Sequence, residues 1–202
     1  MTERLKLTNA VIKYSERVII HDFSLSVNSG EMVFITGSNG SGKSTLIKTI
    51  AGLLPLSSGT LERTAKISYV PQLEEADRDF PARVNEIVLT GTQRRGKLLY
   101  SQEDKERAKH AMLELGIYEL ASRQLTTLSG GQLRRVFIAR AICGLGELLL
   151  LDEPCAGLDV QAHEILFAVL RKILDDGCAV LMVTHDESDI NGIEGARVIN
   201  IS

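Results

Sequence analysis

Three features that would point elsewhere are missing from these 202 residues: a run of about 20 uncharged apolar residues, a CxxC pair, and any excess of basic charge. Without the first, no segment is expected to span a bilayer, so any membrane role has to be peripheral and through a partner. Without the second, the widely spaced Cys143, Cys155 and Cys178 fit a reducing cytosol better than a disulfide scaffold and read as small core or surface residues. Without the third, at a net charge of −3 and a pI near 5.9, no global field draws nucleic acid, and no nucleic-acid partner is expected. The opening MTERLKLTNA carries charges at Glu3, Arg4 and Lys6 and lacks the apolar core of a signal peptide, so the chain is expected to begin and stay in the cytosol. What is present in quantity is apolar material, 44% of residues, enough for the core of one domain or of one domain with an inserted lobe.

Short apolar runs at Val18–Ile20, Met32–Ile35, Ile67–Val70, Leu148–Leu151 and Val180–Val183 alternate with segments of helical character, which predicts an α/β fold built on a mainly parallel sheet. Leu5 and Leu7, then Phe23, Leu25 and Val27, alternate instead with polar residues, as antiparallel strands with one solvated face do, so a small β subdomain is expected near the N-terminus. From about 74 to 142 strand signals vanish, while Ala108, Ala111, Met112 and Leu115 fall at helical spacing. The expected layout is one domain over 1–202, with a core from 1–73 and 143–202 and an inserted helical lobe from 74–142. No internal repeat or low-complexity linker interrupts it.

The segment 37–44, GSNGSGKS, follows the apolar run Met32–Ile35 and precedes the helix-like STLIKTIAGLL, the strand–loop–helix setting of a phosphate-binding loop. Gly37, Gly40 and Gly42 free the backbone, so that N–H groups along Ser38, Asn39, Ser41 and Thr45 can converge on phosphate oxygens at a helix N-terminus. Lys43 is expected to reach the β- and γ-phosphates, and Ser44 to offer its hydroxyl to Mg²⁺. Far downstream, LLLLDEP at 148–154 sets two carboxylates at the end of a buried strand, where ligands meet such sheets. Asp152 suits metal binding; Glu153, pointing the other way by strand alternation, suits activation of water.

At LSGGQLRRVFIARAI, residues 128–142, the chain comes to resemble an ABC transporter ATPase, whose signature is LSGGQ. Ser129 can cap the following helix, and Gly130 and Gly131 then present N–H groups at its positive end, a second anion site in which the signature also includes Gln132. The resemblance implies that two copies dimerise head to tail and hold ATP between the P-loop of one and the signature of the other. It further implies that Gln72, in SYVPQ, touches Mg²⁺ and the attacking water, that Asp159, in AGLD, couples the two sites at the dimer interface, and that His185, in LMVTHD, contacts the γ-phosphate. Tyr14 occupies the place of the aromatic residue that stacks on adenine in this family.

The function so implied is ATP hydrolysis with Mg²⁺, driving solute transport through separate integral membrane permease subunits at the inner face of the cell membrane, with or without an extracytoplasmic substrate-binding protein. The stretch 67–91 resembles that of bacterial importers of zinc, manganese or iron chelates, and Glu74, Glu75, Asp77, Arg78 and Asp79 lie where a permease helix would dock. The chain's end at Ser202, soon after VINIS, suggests no regulatory domain. A soluble ABC ATPase, such as an iron–sulfur assembly scaffold, is the alternative, because the cassette identifies an engine and not the machine it drives.

Overall fold

The structure, a computed structural model, describes residues 2–14, 17–73, 80–93 and 99–201. The charged positions Glu74, Glu75, Asp77, Arg78 and Asp79 lie outside the described residues. In chain order the elements are β1 (Glu3–Tyr14), β2 (Arg17–Asn28), β3 (Met32–Thr36), α1 (Lys43–Ile50), β4 (Ser58–Arg63), β5 (Ile67–Val70), α2 (Val84–Thr90), α3 (Gln102–Glu114), α4 (Gly130–Cys143), β6 (Leu148–Asp152), α5 (Val160–Asp175), β7 (Ala179–Val183), α6 (Glu187–Ile190) and β8 (Arg197–Asn200).

The chain folds into two compact units, one of 1–69, 146–153 and 171–202, the other of 70–145 and 154–170. In the first unit, β1 pairs antiparallel with β2 on one side and β4 on the other. Alternation does the sorting: Leu5, Leu7, Ala10, Ile12, Leu25 and Val27 are buried while their neighbours face outward, as expected of one-faced strands. The run Val18–Ile20, expected among the strands of the α/β order, belongs instead to β2, continuous with Phe23–Val27 across a register irregularity. A bulge, with Asp22 at φ +43, lets two different apolar patterns share one strand.

The second sheet runs β5-β6-β7-β3-β8, with the β3–β7, β3–β8 and β6–β7 pairs parallel. Every residue of β6 and β7 is buried, which is why LLLL and AVLMV read as unbroken apolar runs rather than alternating ones. Leu148, Leu150, Leu181 and Val183 share one core cluster with Leu46, Ile47 and Ile50 of α1 and with the buried face of β1. Each fully buried aliphatic side chain contributes about 1.5–3 kcal/mol of transfer free energy, so the sheet interior has no tolerance for polarity. Polar groups begin where β3, β6 and β7 end at their carboxyl ends, and those ends carry the P-loop, Asp152–Glu153 and His185.

In the second unit, α3 buries Ala108, Ala111 and Met112, and Leu115 just past its end is also buried, the face predicted from spacing. Ser101 caps α3 and Ser129 caps α4, each with a reciprocal side-chain bond from the residue three positions on. Gly91 and Gly144 bring α2 and α4 together: a Cβ on Gly91 would lie 1.9 Å from the Arg140 carbonyl oxygen, so only glycine fits. Among the described residues, no helix is long and apolar enough to cross a membrane.

Candidate functional site

The loop after β3 turns on Gly37, Gly40 and Gly42 at φ +148, +84 and +97, backbone that residues with a Cβ rarely adopt. A Cβ at Gly42, the residue that caps α1, would also lie 2.5 Å from Ile19 Cγ2. The loop is therefore pinned against β2 while its N–H groups stay oriented at a helix N-terminus. Lys43, only 6% exposed, folds its ammonium back across the loop and donates to the carbonyls of Gly37 and Ser38 at 2.8 Å each. That places a fixed positive charge at the loop's mouth. Ser38, Asn39 and Gly40 form the exposed rim, with Ser41 and Thr45 half-buried beneath it.

Ser44 Oγ donates to Asp152 Oδ1 at 3.1 Å, joining the P-loop to the end of β6. Asp152 is fully buried, and its Oδ2 has no hydrogen-bond partner. Burial raises the Asp152 carboxyl above the ordinary carboxylate range, with the Glu153 charge adding to the rise, while the Ser44 bond, Lys48 and Lys43 oppose it. A buried carboxylate oxygen without a partner is costly unless something charged meets it, so the donor set Ser44 Oγ plus Asp152 fits a hard cation such as Mg²⁺. Tyr69 of β5 faces the same carboxylate, and its hydroxyl is held well above the usual phenol value by burial and by the Asp152 charge. No motif singles out Tyr69; its place three residues ahead of Gln72 on a predicted strand is the signal that could have found it.

Glu153 departs from expectation in the reason for its direction. β6 ends at Asp152, and Glu153 lies beyond it at φ +50, a left-handed conformation. This turn, and not strand alternation, separates the two side chains. Its N–H donates to Val183 O at 3.0 Å, and its Oε1 lies 3.3 Å from His185 Nδ1. Glu153 is largely buried and His185 largely exposed, so the carboxylate is held from behind by an imidazole that faces outward. Tyr14, at the end of β1 opposite Arg17, is 65% exposed, leaving a free aromatic surface.

The remaining predicted residues sit in the second unit. Ser129 Oγ accepts from Gln132 N at 3.2 Å, the cap expected of it, and Gln132 Oε1 accepts from Ser129 N at 3.0 Å, which closes a reciprocal box. With those groups engaged, the N–H groups of Gly130 and Gly131 open α4 toward a cavity of about 490 Å³, which Asp159 also lines. Asp159 Oδ1 accepts from Ala162 N at 2.8 Å, so it caps α5 as well as lining that cavity. Gln72 is exposed just beyond β5. The structure thus brings the P-loop, Asp152, Glu153 and His185 together in one unit, and Ser129, Gly130, Gly131, Gln132 and Asp159 together in the other.

Comparison with known proteins agrees with this geometry. A family profile described as ABC transporter matches residues 20–156. The manganese transport system ATP-binding protein MntB of Bacillus subtilis is 39% identical over 192 residues, 90% of this chain and 77% of that protein. The zinc import ATP-binding protein ZnuC of a Ruegeria species is 39% identical over 185 residues, 90% of this chain and 71% of that protein. Among solved structures, the dimeric structure of a bacterial ABC transporter cassette, MJ0796, superposes with a TM-score of 0.85 at 27% identity, covering 98% of this chain and 94% of that one. A nucleotide-binding loop, a signature helix and relatives of this kind lead to one conclusion: this chain belongs to the ABC transporter family of ATP-binding cassettes.

Proposed function

We propose that this chain hydrolyses ATP with Mg²⁺ as one of two cassettes in a head-to-tail dimer and so drives transport through a separate membrane permease. The observation that carries the reading is the junction of β3, β6 and β7, where Ser44 engages one oxygen of the buried Asp152 and the Glu153–His185 pair stands beside it. Lys43 binds the β- and γ-phosphates, and Tyr14 stacks on the adenine. Ser44, Asp152 and Gln72 would hold Mg²⁺, which would supply positive charge to neutralise the phosphates. The second copy's Ser129, Gly130, Gly131 and Gln132 close over the γ-phosphate, with Asp159 at the seam. Glu153 takes the proton of the attacking water as its oxygen bonds to the γ-phosphorus, the bond to the bridging oxygen breaks, and ADP and phosphate leave. His185 orients the Glu153 carboxylate and contacts the γ-phosphate.

The names of the relatives, manganese transport and zinc import ATP-binding proteins, support a metal ion or metal chelate as cargo and import as direction. They favour a transporter over a soluble ABC ATPase. In this reading the core expected over 1–73 and 143–202 carries nucleotide and the lobe over 74–142 presents the signature and meets the permease, with 154–170 folding in the same unit as 70–145, and an extracytoplasmic binding protein delivers cargo from the other side. The cassette then rests on the inner face of the cell membrane. Glu153→Gln tests the chemistry: the variant should bind ATP and close into a dimer but turn over at least about a hundredfold more slowly. Near-normal turnover removes Glu153 from the role of base. Gly131→Asp tests the dimer, because a carboxylate beside the phosphate should abolish ATP-dependent dimerisation. Purification from membranes with a permease, against recovery as a soluble complex, tests transport.

A further inference from the structure

His185 is largely exposed, yet it has to hold one geometry against Glu153. Its own contacts do not account for that, and the elements around it do. Immediately before it, Thr184 is 3% exposed and its N–H donates to Ile35 O of β3 at 3.1 Å, so its backbone is fixed to the sheet. Thr184 Oγ1 donates to Asp189 Oδ2, and Asp189, in α6, is 2% exposed. The same Thr184 oxygen accepts the N–H of Asp186 at 3.1 Å. Asp186 Oδ1 in turn accepts from Ser188 N at 2.8 Å and Ser188 Oγ at 2.7 Å, closing the first turn of α6. The residues on both sides of His185 are thereby tied to one buried hydroxyl, whose proton is aimed at a buried carboxylate.

We infer that Thr184 and Asp189 are positioning residues that act through His185, fixing its imidazole against Glu153 for the hydrolytic step. This rests on the reading of Glu153 and His185 given above. A threonine hydroxyl has one proton; by accepting it, Asp189 leaves the lone pairs of Thr184 facing the Asp186 amide, so the donor–acceptor direction along the loop is set by the buried carboxylate. Burial shields the bond from competition by water, which an exposed bond of the same kind would not escape. A purely structural cap on α6 would need only the Asp186–Ser188 bonds.

The experiment measures ATPase activity of the full chain, at protein concentrations where ATP drives dimerisation, for wild type, Thr184→Val, Thr184→Ser, His185→Ala and the Thr184→Val/His185→Ala double variant. ATP affinity and melting temperature are read beside it. Valine keeps the shape and removes the hydroxyl. It should lower kcat by about tenfold or more, the scale of loss when a reacting group is misplaced, with KM for ATP unchanged. Thr184→Ser should recover kcat to within about twofold of wild type. In the His185→Ala background, Thr184→Val should cost nothing more, because the residue acts only through the imidazole. Asp189→Ala should reproduce Thr184→Val and be non-additive with it. An additive loss in the double variant, failure of serine to rescue, or a fall in kcat that tracks melting temperature overturns the inference and leaves a structural role. A wild-type dimer without ATPase activity overturns the underlying reading of the site instead.

Discussion

Asp152→Asn should make the protein more stable and less functional. The wild-type carboxyl is fully buried, has one oxygen without a partner, and is raised above its ordinary value by burial and by Glu153. An acid whose folded pKa is raised binds more protons folded than unfolded, so its contribution to unfolding free energy falls as pH rises. The burden is absent below the ordinary value of about 3.9 and complete once pH exceeds the folded value. Asparagine removes the charge, keeps an oxygen for Ser44, and relieves an oxygen whose unmet desolvation costs about 1–3 kcal/mol. Against this stand the lost attractions to Lys48 and Lys43 and a new amide N–H that must find a partner. A net gain of about 1 kcal/mol, or about 2–4 °C in Tm for a chain of this length, is the expected outcome at pH 7.5 without metal or nucleotide. The gain should shrink to nothing by about pH 4. With Mg²⁺ and ADP the order should reverse, since ligand at a hundred times its Kd stabilises the wild type by about 2.7 kcal/mol and the variant has lost its metal oxygen. Differential scanning calorimetry across pH, with and without Mg²⁺ and ADP, reads all three. A variant less stable than wild type at pH 7.5, or a difference that does not change with pH, refutes the account of Asp152.

Four further outcomes follow from particular contacts. Glu153→Gly should raise unfolding free energy by about 0.5–1 kcal/mol in urea titration, because φ +50 strains any residue with a Cβ, while ATP turnover is lost with the carboxylate. Ser129→Ala removes the cap of α4 and should cost about 1 kcal/mol, measurable by the same titration, and should also weaken ATP-driven dimerisation. Gly91→Ala drives a methyl into the Arg140 carbonyl and should cost about 1–3 kcal/mol, with ATP affinity at the P-loop retained in a binding titration. Burial pushes the Cys143 and Cys178 thiols up to about 11, so only about a thousandth of each is thiolate at pH 8. Brief iodoacetamide treatment followed by peptide mass spectrometry should therefore mark the half-buried Cys155 first, and early alkylation of Cys178 would contradict its burial.

What could be read from residues alone tracks the strength of the local signal. Runs with no polar interruption, such as LLLL at 148–151, can only be buried strands or buried helix, and their shortness decided for strand. The P-loop and the signature were legible because backbone geometry dictates their glycines. β4 was invisible: SGTLER has one half-buried apolar residue, and its strand conformation is imposed by pairing with β1 from Leu5 to Val11. The Val18–Ile20 run was legible as strand and misplaced in topology, since a bulge that reconciles two apolar patterns leaves no mark in either. The turn at Glu153 was likewise hidden, because nothing in DEP announces a positive φ at a glutamate.

That hidden turn bears on how the site works. A residue held left-handed persists only where its surroundings over-determine it, and at Glu153 the amide is tied to Val183 O, next to Thr184, and the carboxylate to His185. The end of β7 therefore ties Glu153 through its backbone and, in the inference drawn above, the imidazole through the Thr184 hydroxyl. Asp152, one residue earlier, is still inside the sheet and keeps the strand geometry that meets Ser44. A single backbone inversion thus sends adjacent carboxylates in different directions, and under the proposed function it divides them between a buried cation-binding role and a more accessible proton-accepting one. The expected gains from asparagine at 152 and glycine at 153 are the pattern that arises where chemistry rather than folding sets the residue.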